Sequence, residues 1–168
     1  MPSERHDRWG RLLWLIVTVA VVGLDQWTKG LASAQLEYGR PVPILPVLNF
    51  TLQYNTGAAF SFLSGESGWQ QWFFSAVASV VSVVLILWLS RLRRNQWLLA
   101  LSLALILGGA LGNLLDRLSL GYVVDFISVH YAGSYFPAFN VADSAISVGA
   151  ALMILDTILQ GRNEEQEG

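Results

Sequence analysis

The sequence predicts an all-α membrane protein with four transmembrane helices and a small extracytoplasmic β element lying on the membrane surface. Only 13% of the 168 residues are charged, whereas 54% are hydrophobic, and the mean hydropathy is +0.48. Two stretches, 67–90 and 95–115, contain no charged residue. Each is long enough to cross a bilayer core of about 30 Å as a helix, which takes roughly 20 apolar residues.

The first predicted span covers about 9–30, with an uncharged core that starts at Leu12 and a helix that continues past Asp25. This segment also has a basic start and a small-residue run, Ala32-Ser33-Ala34, which is typical of a cleaved signal peptide. Because Asp25 and Lys29 separate that run from the apolar core, we favour a retained helix over cleavage.

The second and third spans, 67–90 and 95–115, are separated by a very short connection that contains three arginines. They are therefore expected to be antiparallel neighbours. The fourth span, about 141–159, carries Asp143 at one end and Asp156 at the other. Residues 1–161 are predicted to form a single domain, and 162–168 a polar cytoplasmic tail without fixed structure.

Two outer segments are not spans. Residues 47–55, after three prolines, are rich in β-forming residues with imperfect alternation, which indicates the small β element. The second segment, 116–140, contains Gly121, Gly133 and Pro137 and is expected to be irregular.

The distribution of lysine and arginine predicts the orientation, because cytoplasmic loops carry an excess of both. Four spans place the two termini on one side. That side holds seven of the ten basic residues, and the other holds Lys29, Arg40 and Arg117. Both termini are therefore predicted to be cytoplasmic. The seven are Arg5, Arg8, Arg11, Arg91, Arg93, Arg94 and Arg162.

Composition also restricts the chemistry. The chain has no cysteine and only two histidines, His6 and His130, so neither a thiolate nor a histidine-based metal site is expected. We predict no metal and no cofactor. A net charge of −2 gives no indication of a nucleic-acid partner.

Four acids fall at outer ends of spans or in the outer segment between them. Ionisable groups at membrane depth are costly, which makes each a functional candidate. Two carboxyls in a poorly hydrated site share one proton, so that one can deprotonate water while the other polarises a carbonyl. These acids are Asp25, Asp116, Asp125 and Asp143.

Each acid also has a structural interpretation. Asn140-x-x-Asp143 fits a helix N-terminal cap as well as it fits catalysis. Asp116, at a helix C-terminus, is expected to form a structural ion pair with Arg117 or Lys29. Asp125 is flanked by apolar residues, which favours function. Asn55-Thr56-Gly57 is equally consistent with a turn and with a peptide-binding segment.

Taken together, these residues resemble the bacterial lipoprotein signal peptidases, also called signal peptidase II. Five blocks occur in the family's order between about residues 9 and 159. They are Asp25-Gln26-x-x-Lys29, Tyr54-Asn55-Thr56-Gly57-Ala58-Ala59-Phe60-Ser61, Gly112-Asn113-x-x-Asp116-Arg117, Val124-Asp125-Phe126 and Phe139-Asn140-x-Ala142-Asp143-Ser144.

The resemblance implies an inner-membrane aspartic endopeptidase, active near the outer surface, that cleaves diacylglyceryl-modified prolipoproteins just before the lipid-bearing cysteine. Asp125 and Asp143 would be the catalytic pair. Membrane lipids would be the other partners, and we expect a monomer. The family positions that would line or support the site are Asn55, Gly57, Asn113, Asp116, Arg117, Asn140, Asp25 and Lys29.

Two other functions are consistent with parts of the sequence. In a serine–lysine protease, Lys29 would activate Ser61, Ser64 or Ser67, but four outer aspartates would be left unexplained. A proton-coupled transporter would place acids near the middle of the bilayer and often shows internal repeats. Here the acids lie at one edge and no repeat is visible.

Overall fold

The structure, a computed structural model, describes residues 3–57 and 69–167, and the side chains of 12–57 and 69–162. Four helices in this part of the chain are long and apolar enough to cross a membrane. The predicted four-span architecture is therefore confirmed. The helices are α1 (Ser3–Gln35), α2 (Trp69–Arg91), α3 (Trp97–Leu120) and α4 (Val141–Glu167).

Helix α3 lies at the centre of the bundle and packs against the other three helices. Of its most apolar stretch, 56% is buried within the protein, compared with 11–22% for the other helices. Glycines permit this packing, since a Cβ on Gly108 would meet Val21 of α1 and a Cβ on Gly109 would meet the Ala142 backbone of α4. Small residues at helix interfaces let backbones approach closely in membranes.

The β element is a four-stranded antiparallel sheet in the order β1-β2-β3-β4. Its strands are β1 (Val42–Leu45), β2 (Leu48–Asn55), β3 (Val123–Tyr131) and β4 (Ser134–Tyr135). The expectation that 116–140 is irregular was therefore wrong. Residues 123–129 are rich in β-branched and aromatic side chains, and β2 supplies the partner strand that stabilises them.

Helix boundaries also differ from the predicted ones. Helix α3 continues to Leu120 and ends at Gly121, whose φ of +86° is left-handed and whose N–H donates to the Arg117 carbonyl. Helix α4 continues to Glu167, so the prediction of a tail without structure was wrong. Extending an existing helix needs no new nucleus, and the Glu and Gln residues of the tail are good helix formers.

Candidate active site

The four candidate acids lie on four different elements and meet at one end of the bundle. Asp25 comes from α1, Asp116 from α3, Asp125 from β3 and Asp143 from the first turn of α4. The first three are buried and Asp143 is half-buried. Sequence positions up to 118 residues apart, from 25 to 143, thus contribute to one polar cluster.

Asp125 accepts hydrogen bonds on both carboxylate oxygens. Asn55 of β2 donates its Nδ2 to Oδ2 at 3.0 Å, and Asn140 donates its Nδ2 to Oδ1 at 2.7 Å. Burial raises the pKa of Asp125 to about 6. The Asn55 and Asn140 hydrogen bonds and the Lys29 charge oppose that rise in pKa, whereas the negative charge of Asp143 adds to it.

Asp143 forms a reciprocal helix cap with Asn140. The Asn140 side-chain oxygen accepts from the Asp143 N–H at 2.9 Å, and Asp143 Oδ2 accepts from the Asn140 N–H at 3.3 Å. The capping interpretation of Asn140-x-x-Asp143 is therefore correct. Capping uses only Oδ2, and Oδ1 accepts from Asn113 Nδ2 at 2.8 Å.

The amide groups of Asn113 and Asn140 each have only one orientation that satisfies their neighbours. Lys29 Nζ and Asn140 Nδ2 both donate to Asn113 Oδ1, at 2.9 and 3.1 Å, so the Asn113 NH₂ must face Asp143. The Asp143 N–H occupies Asn140 Oδ1, so the Asn140 NH₂ must face Asp125. Each acid of the pair consequently receives its own amide donor.

A buried ion cluster is linked to this pair through Asn113. Lys29 Nζ lies 2.8 Å from Asp25 Oδ2 and 2.9 Å from Asp116 Oδ2. The predicted ion pair of Asp116 is therefore present, with Lys29 as its partner. Asp25 also accepts from the Ala142 N–H at 2.9 Å, and Asp116 from the Val124 N–H at 3.0 Å. The cluster thereby holds the start of α4 and the start of β3, the two elements that carry Asp143 and Asp125.

Arg117 and the Asn55–Gly57 turn meet at the same aromatic ring. The Arg117 guanidinium lies 5.7 Å from the centroid of the Phe74 ring and donates to the Asn113 carbonyl at 3.4 Å. Asn55 Oδ1 accepts from the Gly57 N–H at 2.9 Å. Gly57 has a φ of +98°, and a Cβ there would lie 2.6 Å from Phe74. The segment is thus a turn that also presents Asn55 to Asp125.

Sequence reasoning assigned no role in the site to three residues of this region. Gln26 donates to Asp116 Oδ1 at 2.7 Å, and Gln71 donates to the Arg117 carbonyl at 2.7 Å. Phe74 packs on Arg117. A glutamine in an apolar helix is a detectable signal, since a buried amide needs partners. Phe74 gives no such signal among the other aromatic residues of α2.

The serine–lysine alternative finds no support in the geometry of Lys29. Its side chain is buried and its ammonium is bound by Asp25, Asp116 and Asn113. An ammonium bound in this way is unsuited to deprotonating a serine. Ser61, Ser64 and Ser67 lie outside the described residues.

Comparison with known proteins gives concordant matches. A family model described as signal peptidase (SPase) II matches residues 17–159. A lipoprotein signal peptidase of Acinetobacter baylyi is 54% identical over 87% of this chain and 82% of its own length. One of Pseudomonas aeruginosa is 53% identical over 95% of each chain, and one of Pseudomonas putida is 51% identical over 98% of each.

The fold also matches a solved structure. A bacterial membrane enzyme determined by the in meso method superposes with a TM-score of 0.79 over 90% of each chain, at 32% sequence identity.

Proposed function

The chain belongs to the signal peptidase II family of membrane peptidases, and from that premise we propose how it acts. It removes the signal peptide from diacylglyceryl-modified prolipoproteins by cutting before the lipidated cysteine. Asp125 and Asp143 are the catalytic pair. Asn55, Asn113 and Asn140 orient the pair, and the Lys29 cluster supports it.

One observation carries this assignment. Two carboxylates from different elements, β3 and α4, are both linked to Asn140 and each has its own amide donor. The two acids assigned a structural role, Asp25 and Asp116, instead form ion pairs with Lys29. Asp125 and Asp143 form no ion pair among the described residues, which leaves their charge available for proton transfer.

The chemistry follows from one proton shared by the pair. Asp143, at the positive end of α4, acts as the carboxylate that takes a proton from water. The hydroxide attacks the scissile carbonyl carbon while Asp125, whose pKa burial raises to about 6, gives its proton to the carbonyl oxygen. Asp143 then passes its proton to the leaving amine as the C–N bond breaks, and Asp125 recovers a proton from the diol.

The location follows from the substrate and the charge distribution. We place the enzyme in the bacterial inner membrane with both termini in the cytoplasm. The cluster of acids and the sheet then lie at the outer surface, where the lipidated end of a signal peptide emerges. The excess of basic residues on the opposite side supports this orientation. A monomer suffices, since one chain supplies both acids.

Cleavage of a synthetic diacylglyceryl prolipoprotein peptide by the purified protein tests the proposal, with the unlipidated peptide as control. Asp125→Asn and Asp143→Asn should each cut at near-background rates while still binding substrate. Because the two acids form one unit, the double variant should be hardly slower than either single one. Asparagine preserves the cap at 143, so a folded Asp143→Asn protein with normal turnover would leave that residue as a cap only.

A further inference from the structure

A mostly apolar groove opens beside Asp143, one member of the carboxylate pair. Its volume is about 410 Å³, and it lies between the segment that joins β4 to α4 and the outer half of α4. The two serine hydroxyls in it, of Ser144 and Ser147, already donate to helix carbonyls, at Asn140 and Asp143. The groove is lined chiefly by Phe136, Pro137, Phe139, Asp143, Ser147 and Val148.

The two walls of the groove are attached to the two elements that carry the acids. Phe139 exchanges backbone hydrogen bonds with Ile127 of β3, at 2.9 and 3.0 Å, and the Phe136 N–H donates to Val129 at 2.9 Å. This wall therefore stays in register with Asp125. The opposite wall is α4 itself, on which Ser147 lies one turn beyond Asp143. A molecule in the groove is thereby positioned relative to both carboxylates.

The groove runs from Asp143 toward the middle of the predicted membrane span, which is the direction in which an acyl chain would extend into the bilayer. From Asp143 to Val148 the helix rises by about 7 Å toward the middle of the predicted span. Val148 is 52% exposed and so is open to the bilayer. A second apolar cavity, of about 230 Å³, lies between α1 and the sheet, and its lining includes neither Asp125 nor Asp143.

We propose that this groove holds the first methylene groups of an acyl chain of the substrate's diacylglyceryl cysteine. The inference rests on the proposed function. The modified cysteine directly follows the scissile bond, so its lipid must leave the site within a few bonds of the carboxylate pair. Asp143 is both a member of that pair and part of the groove wall, which makes the groove continuous with the point of cleavage.

The groove contributes mainly to positioning. A bilayer is as apolar as the groove, so moving a chain from one to the other yields little hydrophobic free energy. An acyl chain held against the walls of the groove does, however, restrict where the attached cysteine can lie. Small displacements of a reacting group can reduce the rate by about 100-fold. Blocking the groove should therefore lower kcat more than it raises KM.

Photo-crosslinking can show directly where the acyl chain of the substrate binds. A diacylglyceryl peptide with a diazirine near the ester of one acyl chain is bound to Asp125→Asn protein, which leaves the groove residues unchanged. Mass spectrometry of the products should find the label on 136–148. Label on 28–36 or Phe50 would place the chain in the other cavity and overturn the inference. A phospholipid with the same diazirine is the control, and equal labelling of the groove by both reagents would also overturn it.

A steric block gives an independent test. Val148→Trp fills the groove, whereas Val80→Trp makes the same change on the lipid-facing side of α2, where Val80 is 64% exposed. For Val148→Trp, the ratio of kcat with dipalmitoyl to kcat with diacetyl substrate, whose acyl groups contain no methylene, should fall about tenfold, and for Val80→Trp it should not change. Equal loss with both substrates, or no loss, would overturn the inference. Cleavage by the wild-type protein is scored separately, so failure of the proposed function is recognised as such.

Discussion

At the scale of single residues, the site depends on how each carboxylate is solvated by fixed donors instead of water. Asp125 has two amide donors, yet burial outweighs them and raises its pKa to about 6. A carboxylic acid with such a pKa can hold a proton close to neutral pH and release it during the reaction. The asparagines around the pair are thus part of its proton chemistry and not only of its shape.

The first prediction concerns the pH dependence of cleavage. If the proton on Asp125 is needed, kcat/KM falls as pH rises through about 6, the pKa to which burial raises this acid in the free enzyme. The Asn55 hydrogen bond favours the ionised form, so Asn55→Ala should raise the pKa of Asp125 and move the alkaline limb to higher pH. Rate profiles of both proteins measure this shift, and a limb that stays or moves to lower pH would contradict it.

The second prediction compares a buried cation with an exposed one. Lys29 forms ion pairs with two buried acids and donates to the Asn113 amide oxygen. Lys29→Met should therefore cost about 3–5 kcal/mol of stability, the usual effect of leaving buried charges unpaired. Arg40 pairs with Glu37 at the surface, where the side chains are 71% and 73% exposed. Arg40→Met should cost less than about 1 kcal/mol.

Denaturant titration in detergent measures both stability losses. Lys29→Met should also lose activity beyond what its unfolded fraction explains, since Asn113 Oδ1 then keeps only the Asn140 hydrogen bond and the amide is held less firmly toward Asp143. Similar stability of the two variants would show that the Lys29 cluster is not essential to the fold.

At the scale of secondary-structure elements, the sequence was informative where a signal is local and less so where it depends on a distant partner. The two uncharged spans and the β-forming residues 47–55 could be predicted, because hydropathy and strand propensity are read within one segment. Strand β3 was missed because its apolar run lies between glycines, and its pairing with β2 joins segments about 75 residues apart. The helical structure of the tail was not predicted, because its polar composition does not show that α4 can continue into it.

Site residues followed the same pattern. Individual acids were identified by their cost at membrane depth. Physical arguments from the residues alone did not separate the acids that pair with Lys29 from the candidate catalytic pair, since that depends on how α1, α3 and β3 meet. Only the family resemblance made that distinction. The prediction that Asp116 needs a cation followed from the unfavourable position of an acid at a helix C-terminus. Only the packing of α1 against α3 shows that the partner is Lys29.

The third prediction concerns the α3–α4 contact, which sets the position of Asp143. A Cβ on Gly109 would overlap the Ala142 backbone and the Ile146 side chain, whereas a Cβ on Gly23 would meet nothing within 4 Å. Gly109→Ala should lower the free energy of unfolding by about 1–3 kcal/mol through overpacking, and should reduce kcat by displacing α4. Gly23→Ala should be neutral or stabilising by up to about 1 kcal/mol.

Thermal unfolding and turnover of the two glycine variants provide the measurement. The comparison is well matched, because both sites are helical and both changes add one methyl group. Unchanged turnover in Gly109→Ala, with stability equal to that of Gly23→Ala, would mean that the helices can separate without affecting the site.

At the scale of the whole molecule, the sheet and the acids occupy one end of the bundle while most basic residues occupy the other. Helix α3 packs against α1, α2 and α4, and β3 continues directly from it. One end of the membrane bundle thereby carries the carboxylate pair that we propose to be catalytic, and the opposite end carries the charges that are predicted to set the orientation. The polarity of the molecule in the bilayer is therefore a requirement of the proposed function.

The fourth prediction tests that polarity, and the absence of cysteine from the chain makes the test direct. Single cysteines are introduced at Tyr131, which is 79% exposed at the end of β3, and at Asn95, which is exposed in the α2–α3 connection. In cells with a permeabilised outer membrane, a membrane-impermeant maleimide should label Tyr131→Cys. Asn95→Cys should be labelled only after the inner membrane is opened, because the arginines beside it are predicted to keep that connection in the cytoplasm. Retained peptidase activity confirms that each variant is folded. The reverse labelling pattern would place the carboxylate pair on the cytoplasmic side and remove the basis for cleavage at the outer surface.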